Sequence, residues 1–341
     1  MDAASPDHIG PWALQAVIGI GAMGEVWRVR HLGTGQQAAL KRPRPDRPPA
    51  DAHPHLAAEV AALARLDHPH IPALLGHDLH TPTPHLVMTL AAGEALNVLI
   101  ASGALWQHPL TARLDALTAL ASAIDHLHAR GIVHADIKPA NIRGLDHPML
   151  LDFGLARPFS TDSPPPDARA GTPAYQPPPS EPLTPASDRY AFAVTAYELL
   201  LGAHPILHHT DQHHPPDALR RLAADRVAQG RWRTPDSLPP ATLPPDLRAA
   251  DRAGLTPLFH AALAADPAAR PARLTDWTDA VRACALASLA LPDADRAAPF
   301  VPPPPLPDYT RQQAADAHPT RPPVGLSGWW AQLRARLRRP S

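Results

Sequence analysis

His134-Ala135-Asp136-Ile137-Lys138-Pro139-Ala140-Asn141, with Asp152-Phe153-Gly154 beginning eleven residues after Asn141, is the stretch on which the reading of this chain turns. It holds one of two lysines in a sequence with 31 Lys and Arg together; the other is Lys41, in Ala38-Ala39-Leu40-Lys41. Arginine supplies the same charge, so a chain that has drifted this far toward arginine keeps lysine where a compact ammonium does something a planar guanidinium cannot. Asn141 is as rare, sharing the whole chain with Asn97 alone.

Working outward, Lys41 lies downstream of Gly19-Ile20-Gly21-Ala22-Met23-Gly24-Glu25-Val26, a match to G-x-G-x-x-G-x-V. Glycines in such a turn let backbone N–H groups approach phosphate oxygens with no Cβ in the way. A dinucleotide-binding turn shares this signature, but it opens a helix after a strand. Here the flanks Ala16-Val17-Ile18 and Val26-Trp27-Arg28-Val29-Arg30 are short β-rich runs, and Gly33-Thr34-Gly35 supplies a second turn before Lys41. Consecutive hairpins fit that pattern better.

Taken in order, the glycine-rich turn, Lys41, the 134–141 loop and Asp152-Phe153-Gly154 resemble the eukaryotic-like (Hanks-type) Ser/Thr protein kinases of bacteria, over roughly residues 10–285. The resemblance implies an α+β, bilobal protein kinase fold with a β-rich N-lobe (10–90) and a mainly helical C-lobe (91–288), flanked by an N-terminal tail (1–9), a proline-rich linker (289–325) and a basic amphipathic tail (326–341). It also implies ATP and Mg²⁺ as cofactors and Ser/Thr of proteins as acceptors. On that footing Gly19, Ile20, Gly21, Ala22, Met23, Gly24, Val26 and Ala39 surround ATP, and Lys41 holds its α and β phosphates. Met88, at the end of the strand Pro84–Met88, is the gatekeeper, and Ala91 offers backbone hydrogen bonds to adenine. Asp136 accepts or orients the acceptor hydroxyl proton, Lys138 steadies the γ-phosphate, and Asn141 and Asp152 ligate Mg²⁺ through oxygen.

Leu56, Val60, Leu63 and Leu66 recur at helical spacing over His55–Leu66, after a proline-rich loop expected from Pro43 to Pro54. Glu59 on that helix is a solvated acid by default; by resemblance it pairs with Lys41. Leu110 to Arg130 reads as a helix closed by Gly131. Val194 to Leu201 matches the family's buried C-lobe helix, with Asp188 before it bracing the catalytic loop, capping the helix, or both. By the same resemblance, Gly171-Thr172-Pro173-Ala174-Tyr175 is the substrate-facing loop and supplies Thr172 to contact Asp136 and Lys138, and Asp266-Pro267-Ala268-Ala269-Arg270-Pro271 makes Arg270 a structural ion-pair residue.

Two departures stand out. Position 135 is Ala where the family's His-Arg-Asp has Arg, the side chain that commonly docks a phosphorylated activation loop. Activity independent of phosphorylation in that loop is the expectation, although Ser160, Thr161 and Ser163 are available and Arg157 or Arg169 offers a substitute. Second, Gln176-Pro177-Pro178-Pro179 puts proline where the family ends Ala-Pro-Glu, which removes the usual carboxylate partner of Arg270; Glu181, two residues on, is the favoured replacement. These departures keep a pseudokinase, a nucleotide-binding scaffold, as the alternative. A small-molecule phosphotransferase is disfavoured by the 171–175 loop.

Composition sets the remaining bounds. A chain of 341 residues is long enough for one two-lobed domain plus a tail. The net charge of −1 gives no global field for nucleic acid, so none is expected as a partner. A single cysteine, Cys284, suits a reducing compartment. Met1-Asp2-Ala3-Ala4-Ser5-Pro6-Asp7 lacks a signal peptide's basic and apolar regions, and no apolar run reaches the ~20 residues of a transmembrane helix. The expectation is therefore a cytoplasmic protein regulated from inside the cell. Gly328-Trp329-Trp330 with Arg334, Arg336, Arg338 and Arg339 offers a peripheral membrane or partner contact, or a tail packed on its own domain. Val301 to Pro307 is a stiff spacer or docking segment. His204, His208, His209, His213 and His214 invite a metal reading, but no carboxylate or cysteine pattern completes a zinc site, and a solvated loop is the favoured reading.

Overall fold

The computed structural model describes residues 8–21, 24–44, 49–159, 171–178, 181–239, 246–247 and 249–287. The expectations placed on Ala22, Met23, Ser160, Thr161, Ser163, Arg169, Pro179 and both segments beyond residue 288 lie outside these.

The N-lobe is a six-stranded antiparallel sheet in the order β1-β2-β3-β4-β6-β5, made of β1 (His8–Ile9), β2 (Trp12–Ile20), β3 (Glu25–His31), β4 (Gln37–Arg42), β5 (Leu74–Asp78) and β6 (His85–Thr89). It starts two residues earlier than expected, because His8 and Ile9 pair with Ala13 and Trp12. Side chains alternate faces along a strand, and the register sorts them. Val26 lies opposite Lys41 and Ala39 opposite Met88, so all four share the inner face. Val29, Ala38, Leu40 and Val87 fall on the outer face, in a small core with Ile9 and Trp12. A one-residue slip would bury Lys41 in that outer core.

The helix packed under this sheet, α1 (Pro49–Leu63), begins well before His55 and has Pro54 inside it. Pro49 opens the helix, where a missing N–H costs nothing, whereas Pro54 lies beyond the first turn and gives up the bond an N–H there would make to the Ala50 carbonyl. The chain leaves helical bonding through Arg65 and Leu66, which bond back to the carbonyls of Ala62 and Leu63, so the helix stops short of Leu66.

Beyond β6 come α2 (Leu96–Ala101), α3 (Leu110–Ala129), the short pairs β7 (Ile132–Val133) with β10 (Arg157–Pro158) and β8 (Ile142–Arg143) with β9 (Met149–Leu150), then α4 (Pro185–Leu201), α5 (Pro216–Ala228), α6 (Ala249–Ala262) and α7 (Leu274–Leu286). Gly131, at φ 70°, closes α3. α4 is buried on every side along nearly its whole length, which makes it the axis of the C-lobe. It starts nine residues before the expected Val194: Thr184 caps it in a reciprocal pair with Ser187, Pro185 takes the first helical position, and Gly202 at φ 67° ends it. Asp188 is therefore not the cap. None of the helices among the described residues is long and apolar enough to cross a membrane.

Candidate active site

Three charged side chains meet under the sheet. Lys41 Nζ donates to Glu59 Oε2 at 2.6 Å and to Asp152 Oδ1 at 2.7 Å. Glu59 is 1% exposed, whereas the Asp152 side chain is 46% exposed. Burial alone would lower the Lys41 pKa; the two carboxylates, Asp152 more than Glu59, overcome it and hold the ammonium above its ordinary value. Lys41 in turn holds Asp152 well below the usual carboxylate range, while burial pushes Glu59 up against the pull of Lys41. Phe153 is buried with its ring edge-on to His134 at 4.8 Å, and the Gly154 carbonyl accepts from His55 Nδ1 at 3.0 Å. His55 precedes Glu59 by one helical turn, so a single face of α1 grips both Lys41 and the Asp152-Phe153-Gly154 segment. That role of His55 has no sequence signal apart from its spacing to Glu59.

In the 134–141 loop the polar groups around Asp136 are saturated. Its Oδ1 accepts from the Thr172 backbone N–H (3.0 Å) and hydroxyl (2.8 Å); its Oδ2 accepts from Lys138 Nζ (2.8 Å) and Asn141 Nδ2 (2.9 Å). Lys138 also reaches Thr172 Oγ1 at 2.5 Å. Asn141 Nδ2 further donates to the Asp136 carbonyl (2.8 Å), and the Asn141 carbonyl accepts from Leu151 N–H (2.7 Å), which ties this loop to the strand entering Asp152.

The loop is braced from α4. Asp188 accepts from the backbone N–H groups of His134 (2.8 Å) and Ala135 (2.9 Å) and from His128 Nε2 (3.0 Å). Burial by itself would raise the Asp188 pKa, but these donors hold it down. Ala135 sits at φ 72°, a conformation that costs a non-glycine residue about 1–2 kcal/mol, and Asp188 bonds its amide in place. The bracing reading of Asp188 is thus the one its contacts match. His134 is neutral through burial, with Nε2 donating to the Leu151 carbonyl (3.1 Å) and Nδ1 accepting from Asp136 N–H (3.3 Å).

The two departures have different surroundings. Arg157 lines the same cavity as Ala135, beside Asp136, Thr172 and Arg220. Glu181 takes Arg270 in two-fold fashion, Oε1 from Nη1 at 2.9 Å and Oε2 from Nη2 at 2.8 Å, with the guanidinium also donating to the carbonyls of Ala186 and Ala264. Replacement of the missing carboxylate by Glu181 is what the geometry shows.

Gly24 approaches β4 so closely that a Cβ would meet the Arg42 carbonyl oxygen at 2.5 Å, and the turn is closed by Gly21 N–H on the Gly24 carbonyl at 2.8 Å. This is a strand-turn-strand hairpin, with Gly19 opposite Val26. The histidine cluster forms no metal group among the described residues. The solvated-loop reading fails at His204, which is 1% exposed, donates from Nε2 to the Ala174 carbonyl (2.9 Å) and accepts at Nδ1 from the amides of Ile206 and Leu207. Those bonds are tertiary and local-turn contacts that a histidine count cannot reveal.

The comparisons agree with this geometry. The protein kinase domain family model matches residues 12–281. The Ser/Thr-protein kinase PkaA of Streptomyces coelicolor is 34% identical over 219 residues, 57% of this chain and 39% of that one. PknA of Mycobacterium tuberculosis is 30% identical over 291 residues, 80% of this chain and 61% of that one. The chain therefore spans about two fifths to three fifths of the length of these relatives. Among solved structures, a double mutant of the Mycobacterium tuberculosis PknI kinase domain superposes with a TM-score of 0.54 at 26% identity, covering 84% of this chain and 100% of that one. With the lobes, the Lys41 trio and the saturated Asp136 loop in place, the chain belongs to the protein kinase family, in the company of the bacterial eukaryotic-like Ser/Thr kinases.

Proposed function

We propose that this protein transfers the γ-phosphoryl group of ATP, with Mg²⁺, to Ser or Thr hydroxyls of proteins. The observation that carries the reading is the juxtaposition of a formed Lys41–Glu59–Asp152 trio with an Asp136 held by Lys138, Asn141 and Thr172. Phosphoryl transfer asks little covalent work of a protein; it asks for placement and for cations where charge spreads over the phosphate oxygens.

The donor set suits a hard divalent cation. Asp152 has one oxygen on Lys41 and a side chain open to solvent, and Asn141 commits its amide nitrogen to Asp136, which leaves its oxygen as the donor. Magnesium bound there would neutralise phosphate charge. Lys41 is charged and fixed by two carboxylates, ready to exchange part of that contact for phosphate oxygens. Lys138, 2.8 Å from Asp136, supplies a second cation on the acceptor side. Asp136 accepts a hydrogen bond from an incoming hydroxyl once that hydroxyl displaces a Thr172 contact, and Thr172 itself marks where a Ser/Thr oxygen sits relative to the carboxylate. Val26, opposite Lys41, and Ala39, opposite Met88, share the sheet face to which we assign adenine, with Ala91, just past β6, as its backbone partner.

The test is transfer of labelled γ-phosphate to a generic basic protein and to the enzyme itself, followed by phosphoamino-acid analysis. Label on Ser/Thr from the wild type, lost in Asp136→Asn and Lys41→Ala, is the expected result. ATP binding that stabilises the fold without any transfer would establish the scaffold alternative instead.

A further inference from the structure

The outer face of the N-lobe sheet carries an ion pair that none of these steps uses. Glu25 is the first residue of β3 after the glycine turn, Arg42 is the last of β4 after Lys41, and the two are cross-strand partners. Arg42 Nε donates to Glu25 Oε1 at 2.5 Å, with the two side chains only 5% and 13% exposed. Alternation along the strands puts both on the face opposite Val26 and Lys41. Trp27, the next outer-face residue of β3, lies opposite Leu40, packs on the outer core, and has the Arg42 guanidinium 5.3 Å from its ring centroid. A run of contacts therefore leads from the outer core through Trp27 and Arg42 to Glu25, the residue that follows the last glycine of the turn.

The place of the pair in the ladder gives it a consequence. Glu25–Arg42 is the final rung of β3 and β4, and the rung beside it is Val26–Lys41. Strand ends fray first, because an end rung has a neighbour on one side only. Here one strand end runs into the glycine turn and the other carries Lys41, so opening this rung changes the separation between the turn amides and the Lys41 ammonium. Gly24 already lies against the Arg42 carbonyl, too close for a Cβ, which ties the turn to the same residue through the backbone. A charge-assisted hydrogen bond shielded from water, made by a guanidinium stacked on an indole, adds a directional side-chain tie to that backbone contact.

We propose that Glu25 and Arg42 are positioning residues for the phosphates of ATP: their pair clamps the last rung of β3 and β4 from the outer face and so sets the distance between the turn amides and Lys41. The inference rests on reading that turn and Lys41 as the phosphate-binding groups. Both residues act across the sheet, through the backbone they hold, and neither touches the nucleotide.

The full chain is compared as wild type, Glu25→Gln, Glu25→Ala, Arg42→Lys, Arg42→Ala and the double alanine variant, in titrations with ATP and with adenosine and in phosphorylation of a generic basic protein. Adenosine has no phosphates, so a displaced turn spares its binding, whereas a general loosening of the N-lobe weakens both ligands. Each alanine variant is expected to bind ATP about tenfold more weakly and to raise the KM for ATP to match, with adenosine affinity and the acceptor KM unchanged. The double variant is expected to be no weaker than either single one, because all three lack the same interaction. Glu25→Gln keeps a neutral hydrogen bond and Arg42→Lys keeps the charge without the planar stack, so both fold-preserving variants fall between wild type and alanine. Equal losses of ATP and adenosine affinity, additive losses in the double variant, or unchanged ATP affinity in Glu25→Ala overturns the proposal. A wild type whose ATP affinity depends on the pair but which transfers no phosphate supports the positioning role and overturns the transferase reading alone. A wild type that binds ATP no better than adenosine overturns the phosphate-binding reading and the proposal with it.

Discussion

Lys41 at the lobe interface and Arg270 in the C-lobe each meet a buried glutamate, at 2.6 Å from Glu59 and 2.8 Å from Glu181, but their surroundings diverge. Arg270 and Glu181 have side chains 0% and 4% exposed, and the guanidinium donors left over go to backbone carbonyls. Nothing can be added to that pair. Lys41 has a second carboxylate, Asp152, that is nearly half open to solvent. One cation facing two carboxylates, one of them exposed, is a centre with capacity for a ligand; one cation locked two-fold onto one buried carboxylate is a rivet. The same pair of charges thus serves binding in one place and cohesion in the other, and exposure of the third partner makes the difference.

Predictions sharpen this contrast, the largest first. Asp136→Asn removes the hydroxyl-facing carboxylate and is expected to lower phosphotransfer by about 10²–10⁴-fold with ATP affinity kept, read from initial rates and nucleotide titration. Glu181→Ala strands Arg270 among carbonyls and is expected to cost about 3–5 kcal/mol of stability in denaturant unfolding, with nucleotide affinity of the folded fraction unaltered. An unchanged midpoint would mean that Glu181 does not replace the family's carboxylate. Gly24→Ala drives a methyl into the Arg42 carbonyl and is expected to cost about 1–3 kcal/mol, appearing as a raised KM for ATP rather than for the acceptor. The smallest effect is on phosphatase treatment: with Ala135 unable to dock a phosphate, activity should be unchanged, and a loss restored by rephosphorylation at Ser160, Thr161 or Ser163 would assign that docking to a residue such as Arg157.

Much of this was legible in the sequence wherever chemistry demands a particular residue type. The glycine turn, the two lysines, Asp136, Asn141 and Asp152 stand at their positions because few side chains can replace them, and Glu181 was found by asking which acid could reach Arg270. Helix limits were less legible. Pro49 and Pro54 make the start of α1 read as loop: a first helical turn tolerates a proline such as Pro49, but Pro54 lies beyond it, where proline ordinarily interrupts a helix. For α4 a signal existed, Thr184-Pro185 with Ser187 following, a cap and a first-turn proline that mark a helix start ahead of any apolar periodicity. His204 was invisible for another reason: a histidine among histidines acquires meaning from the turn that folds onto it, and that turn is remote in sequence.

Asp152→Asn and Arg270→Met, measured side by side for phosphotransfer per folded molecule and for unfolding midpoint, test the contrast most directly. Asp152→Asn leaves Lys41 and Glu59 as a balanced pair, and asparagine tolerates the φ of 64° at this position, so the fold should hold while transfer collapses. Arg270→Met leaves Glu181 buried and unpaired, so the midpoint should fall sharply while the folded fraction still transfers phosphate. Retained transfer in Asp152→Asn, or an unchanged midpoint in Arg270→Met, would contradict the division of labour between the two centres.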